Sequence, residues 1–264
     1  DMLIVGAGLY NMIEHTFRRV GVDMGIYCFA MLDYWAGYRS RFQRIINDTC
    51  VMSLPDKIGI MDELCFNEMA DEAFDPDSMV IVGAPHLEES VKIVHSCSSI
   101  IKKKRNQIIL AFFSVSMPGF DKNDTSKEKG SGVMPPWGYT QHIILDQVIN
   151  CLSTICEKYK QPVLLLVKPH PLEPQESLEQ TILMARKSQY LDCQMVLFHR
   201  SAELICTADI ILGTTSTALL ESSLAGKLTL SIQIGTTEKY GEDVFYGNKV
   251  GLTIPIYEKV ELEQ

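Results

Sequence analysis

The chain is poor in features that would assign it quickly. Basic residues are outnumbered, 24 Lys and Arg against 33 Asp and Glu, for a net charge of −9. That balance argues against a general nucleic-acid or anionic-membrane surface, although one local anion pocket remains compatible with it. No apolar run approaches the roughly 18 residues of a membrane-spanning helix. The eight cysteines (Cys28, Cys50, Cys65, Cys97, Cys151, Cys156, Cys193, Cys206) are dispersed and contain no CxxC pair. They read as free, mostly buried thiols of a reducing compartment, which points to the cytoplasm. There is no GxxxxGK[ST] loop, no GxGxxG and no His/Cys ligand spacing, so neither a Walker site nor a required metal or cofactor is expected. The chain opens on Asp1 and runs straight into the strand "MLIVGAG". No initiator Met and no signal peptide are seen, and an upstream part is expected to be missing.

What is present is a regular alternation. Apolar runs at Met2–Val5, Gly25–Met31, Asp56–Met61, Met79–Val82, Gln107–Phe113, Val163–Val167, Met195–Phe198, Asp209–Leu212 and Leu228–Ile232 read as strands. Helical patterns lie between them at Met12–Val20, Glu63–Glu72, Leu87–Lys104, Gln141–Tyr159, Gln175–Lys187, Ala202–Thr207 and Thr217–Ala225. Several strands are apolar at consecutive positions, as burial on both faces requires. Strand then helix, repeated, predicts an α/β fold of two Rossmann-like parallel-sheet domains. The basic stretch "KKKRNQ" suggests a boundary, giving an N-terminal domain at 1–104 and a C-terminal domain at 105–264. The Gly/Pro/Ser-rich segment 116–138 is a surface insertion or an active-site lid.

Two strand-to-helix connections carry the chemistry. In "LLLVKPHPLE" an aliphatic strand ends at Lys168 and His170, with a proline on each side of the histidine. The prolines fix the backbone and remove two N–H donors, so the imidazole is held in one direction, where it can donate to a phosphate or sugar oxygen. In "ADIILGTTSTALLESSLAG" a strand meets Gly213, Thr214, Thr215, Ser216 and Thr217 before a helix. Gly213 allows a tight turn, the hydroxyls cap the helix, and the free N–H groups there favour an anion. Glu221, one turn on, could accept from ribose or sugar hydroxyls. The loops "GAGLYNMIEH" and "MLDYWAGYRSRF" add Glu14 and Asp33 as candidate bases for an acceptor. They also supply Trp35 and Arg39 for stacking and ion pairing. Asp62 and Glu63 read as a helix start.

Together "LVKPHP", "ADIILGTTSTALLESSLAGK" and "LPDKIGIMDELCFNEMADEAFDPDSMVIVGAPHLE" resemble glycosyltransferases of the GT-B type. They also resemble the related non-hydrolysing UDP-N-acetylglucosamine 2-epimerases. In bacterial sialyltransferases and capsule-type transferases of this fold an HP motif and a Ser-Ser/Thr motif contact the nucleotide phosphates. His170-Pro171 and Ser216-Thr217 match them by position. The chain departs from the pattern in three ways. The acidic D/E-D/E-G motif is not evident, the first strands and Gly-rich loop are missing, and the epimerases' acidic pair is reduced to Glu221. The resemblance implies a CMP- or UDP-linked sugar donor and metal-independent transfer in polysaccharide biosynthesis. The acceptor would be a glycan or a lipid-linked molecule, the latter bringing the protein to a membrane surface. A nucleotide-sugar 2-epimerase or hydrolase, and a non-catalytic binding or scaffold module, stay open at this point.

Overall fold

The computed structural model describes residues 1–8, 12–46, 49–115, 139–173, 175–184, 188–235 and 245–262. The chain divides into two compact units, Asp1–His86 and Leu87–Gln264. The composition shift placed that division after Lys104 instead; α4 (Pro85–Ser96) is the element the two placements assign differently.

In chain order the first unit holds β1 (Met2–Gly6), α1 (Met12–Asp23), β2 (Tyr27–Met31), α2 (Tyr38–Phe42), β3 (Gln43–Ile46), β4 (Thr49–Met52), β5 (Lys57–Ile60), α3 (Glu63–Asp71) and β6 (Met79–Ile81). Strands β1, β2, β5 and β6 form a parallel sheet in that order. Its covered face is closed by Cys28, Ala30, Ile58 and Ile60, each 0–1% exposed. Strands β3 and β4 make a separate antiparallel hairpin. The helix start expected at Asp62 is there, its carboxylate accepting from Cys65 N.

The second unit continues with β7 (Ile108–Phe113), α5 (Gln141–Tyr159), β8 (Val163–Lys168), α6 (Gln175–Met184), β9 (Leu191–Met195), α7 (Ser201–Thr207), β10 (Ile210–Gly213), α8 (Thr217–Leu224), β11 (Leu228–Ile232), α9 (Tyr246–Lys249), β12 (Ile254–Ile256) and α10 (Lys259–Leu262). Its six strands are all parallel, in the order β12-β11-β10-β7-β8-β9. The chain builds outward from β7 through β8 to β9, then returns past β7 to lay down β10, β11 and β12. That is the order of a Rossmann sheet, and the reversal between β7 and β10 is its switch point. The reversal is pinned at its lower end by Asp209. Its carboxylate accepts from Ile109 N at 2.8 Å and from Lys103 Nζ at 2.7 Å.

Helix α5 covers one face of this sheet. Thr140 caps it, accepting from Ile143 N, and Lys160 in a left-handed conformation (φ 51°) ends it. Its Ile144, Leu145, Val148 and Ile149 pack with Leu110, Phe112, Leu165, Val167 and Leu212 in one buried cluster. Each such aliphatic side chain contributes about 1.5–3 kcal/mol relative to exposure.

Two expectations are corrected. The strand placed at Met195–Phe198 lies at Leu191–Met195. There Asp192 and Gln194 are exposed while Leu191 is buried, the one-wet-face pattern of an edge strand, and Phe198 beyond it is 96% exposed. The helix drawn to Lys104 stops at Ser96. The hairpin, β12 and α2 were not anticipated. All eight cysteines are free; Cys28, Cys65, Cys151 and Cys156 are buried and Cys50 is exposed. Segment 116–138 and Asn11 lie outside the described residues. Among the described residues no helix is long and apolar enough to cross a membrane.

Candidate functional site

The ends of β7, β8 and β10 bring the two expected loops of the second unit together. Phe113 is in register with Lys168 on one side and Gly213 on the other. The KPHP loop and the GTTST loop therefore leave the same edge of the sheet with one strand between them, roughly 10 Å apart at the usual strand spacing. The GTTST loop borders the switch point, where the crevice of an open α/β sheet forms, and the KPHP loop lies one strand beyond it, across β7.

His170 sits half-buried in a tight turn. Pro169 and Pro171 have no N–H, and the Leu172 N–H donates to His170 Nδ1 at 3.2 Å. An accepting Nδ1 is a bare one, so the proton of the neutral ring is on Nε2. Burial holds this imidazole below the usual histidine range. His170 is therefore a neutral donor rather than a cation at pH 7. Lys168 Nζ donates to Leu197 O at 3.0 Å, and burial lowers its pKa, partly offset by Glu203. An ammonium has three N–H groups, so this contact leaves donors over.

Gly213 is needed for space rather than for a turn. It ends β10, and a Cβ there would lie 2.8 Å from Phe113 O and 2.7 Å from Leu219. The tight-turn reading is thereby replaced by one of close approach between β10, β7 and α8. Thr214 is 1% exposed, and its Oγ1 has no hydrogen-bond partner among the described residues. Thr215 is half-buried and Thr217, the first residue of α8, is exposed. Ser216 is the cap of α8, accepting from Ala218 N at 3.3 Å. Burial raises the Glu221 carboxyl, moderated by Ser90 of α4. Its carboxyl thus lies near α4, within the same unit and against an element the sequence had given to the other domain.

Three further residues close the same edge, and none was singled out in the sequence. Ser114 follows β7, Gln141 opens α5 and Glu173 follows the KPHP turn. All are buried, and Ser114 Oγ, both amide atoms of Gln141 and Glu173 Oε1 make no hydrogen bond of ordinary geometry among the described residues. Burial raises the Glu173 carboxyl, and the closeness of Ser114, the His170 N–H and Gln141 moderates the rise. Buried polar atoms without a partner of ordinary geometry are rare in folded proteins, and here three such side chains lie close together.

In the first unit the expected residues are taken up differently. Trp35 is 5% exposed, with its indole N–H donating to Asp62 at 2.9 Å, so it packs inside the unit and offers no open stacking platform. Arg39 ties α2 to the end of α3 through Glu72. Glu14 lies over Gly6 and accepts from Gly8 N at 2.8 Å. Asp33 keeps a 68% exposed side chain at the end of β2, paired with the buried Arg41. Arg41 and Arg18 direct guanidinium donors at the carbonyls of Ala7, Ala36, Arg41 and Ser53, which is structural work. Among the described residues no group of His, Cys, Asp and Glu is placed to hold a metal ion.

Solved structures carry the same arrangement of strands and helices. The UDP-GlcNAc 2-epimerase of Methanocaldococcus jannaschii superposes with a TM-score of 0.57 at 11% identity, covering 99% of this chain and 68% of its own. S. aureus MnaA in its UDP co-structure gives 0.58 at 12%, covering 100% and 65%. Acinetobacter baumannii MurG gives 0.51 at 11%, covering 100% and 63%. The fold is GT-B-like. The chain spans about two thirds of the length of these proteins. No protein-family model matches it, and no curated protein matches it in sequence. None of these three is named as a sialyltransferase, and the sialyltransferase-type reading of His170-Pro171 and Ser216-Thr217 gains no support from them.

Proposed function

We propose that the chain is the nucleotide-sugar-binding part of a GT-B-type glycosyltransferase, with the diphosphate of the donor held at the switch point of the second unit. The observation that carries this reading is the placement of the KPHP and GTTST loops on either side of β7. His170 Nε2–H, Lys168, the Ser216 and Thr217 hydroxyls and the N–H groups of the first turn of α8 supply donors without a metal. Transfer breaks the bond between the anomeric carbon and the phosphate oxygen, and the negative charge that grows on the leaving group is what such donors stabilise. A neutral imidazole donor stabilises that charge without first needing protonation. Two of the similar structures are named with UDP, which makes a UDP-linked sugar the donor to test before a CMP-linked one. On the acceptor side Asp33, exposed at the end of β2 and paired with Arg41, and Glu14, which accepts from Gly8 N–H, are the two proposed bases. Glycans and lipid-linked glycans are the acceptor classes.

Similarity to a UDP-GlcNAc 2-epimerase favours one second reading, epimerisation of the nucleotide sugar. Incubation with a panel of UDP- and CMP-sugars separates the two. Release of nucleotide that depends on an added acceptor supports transfer, whereas a new sugar still joined to its nucleotide means epimerisation. Absence of any nucleotide binding by calorimetry would leave a non-catalytic module.

A further inference from the structure

The segment Pro169–Glu173 contains three backbone N–H groups, those of His170, Leu172 and Glu173, and all three are spent on one turn. Leu172 N donates to His170 Nδ1. Glu173 N donates to His170 O at 2.9 Å. His170 N donates to Glu173 Oε2 at 3.2 Å. Glu173 thus grips His170 by both its carbonyl and its N–H, and with the flanking prolines this fixes the main chain on which the ring's Nδ1 contact depends. The other carboxyl oxygen is buried near Ser114 at the end of β7 and Gln141 at the start of α5. Glu173 is 6% exposed, so the turn is anchored to the sheet and to the helix that covers it.

We infer that Glu173 is the positioning residue of this site, locking His170 as its Nε2–H tautomer by closing the 170–173 turn against β7 and α5. A surface turn held by the prolines alone would leave the Leu172 N–H free to choose water, and the ring free to exchange its proton between the two nitrogens. The role assigned to the carboxyl is to act through the histidine, from whose N–H it accepts. The inference builds on the reading of His170 as a phosphate donor, but the state of the ring can be measured without any nucleotide.

The test uses the whole 264-residue chain labelled with 15N-histidine, with His170→Gln assigning the signal. In the parent protein the His170 nitrogens should give one protonated and one bare signal, well separated, between pH 8 and 7. Glu173→Gln keeps an acceptor for the His170 N–H and should keep both this pattern and the UDP affinity within about twofold. Glu173→Ala should draw the two nitrogen signals together and weaken UDP at least about tenfold, the loss of one well-placed charge-assisted donor. An unchanged His170 pattern in Glu173→Ala overturns the inference. If Glu173→Ala does not fold, Glu173→Asp decides: the shorter side chain cannot span the turn, and a parent-like pattern there also overturns it. If the pattern responds while no variant binds UDP, the positioning role stands and the nucleotide reading falls.

Discussion

Replacing His170 by alanine separates a binding group from a packing group. The ring donates from Nε2 and accepts at Nδ1 from the Leu172 N–H. A hydrogen bond to a charged phosphate is worth about 1.5–3 kcal/mol, so its loss should weaken UDP roughly 10- to 150-fold. The lost Nδ1 contact costs stability much less. Leu172 is 78% exposed, so water replaces the acceptor, and a net loss of about 0.5–1.5 kcal/mol follows. At ~2–4 °C per kcal/mol that is a Tm drop of roughly 1–6 °C. Titration calorimetry with UDP and a thermal melt read the two quantities separately. The ratio of Kd values, variant to parent, should stay level between pH 8 and pH 7, because a neutral donor does not titrate there and the ligand's own titration cancels. A ratio that grows as the pH falls would show that imidazolium is the binding form. A large Tm loss with unchanged UDP affinity would refute the assignment altogether. The sign for stability is separate. With its folded pKa depressed, His170 contributes stability that is present above its unfolded pKa of about 6.5 and lost as pH falls through the folded value.

Three other outcomes follow from the packing. Gly213→Ala puts a Cβ against Phe113 O and Leu219, an overpacking cost of about 1–3 kcal/mol, and should lower Tm by roughly 2–12 °C. An unchanged melt would mean that β10 and β7 separate easily. Glu221→Gln should raise Tm at pH 8, with the gain shrinking toward pH 5, since a buried carboxyl with a raised folded pKa costs stability as it ionises. A gain that grows on acidification would contradict that sign. Trp35→Phe removes the indole donor from Asp62, the cap of α3, and should cost about 1–3 kcal/mol without altering UDP affinity. Strong loss of UDP binding in this variant would restore Trp35 to the ligand site.

The second unit was legible where the chain punctuates itself. β8 and β10 are apolar at consecutive positions and stop at Lys168-Pro169 and at Gly213, so both site loops were found within a residue of their observed places. Strand β9 was misplaced because an edge strand shows only alternate apolar positions, and the stronger run Met195–Phe198 next to it ends in an exposed Phe198. Glu173, Ser114 and Gln141 were invisible because each looks ordinary in its own segment. A glutamate before a helix, a serine after a strand and a glutamine opening a helix become a cluster only once β7 is known to lie between β8 and β10. In the first unit Trp35 and Arg39 stood in a loop whose composition suits a ligand, yet their partners, Asp62 and Glu72, lie 27 and 33 residues away, beyond what local pattern can read.

The return of β10 to the flank of β7 joins residues about a hundred positions apart, Leu110 with Ile210. Closing a loop that long costs only about 0.5 kcal/mol more than closing the one between β7 and β8, but contacts of such wide sequence separation slow folding. Until β10 arrives, the GTTST turn has no fixed place beside His170. The joining of β10 to β7 and the birth of the anion cradle are consequently a single event, and recovery of UDP binding after denaturation would serve as a clock for the docking of β10.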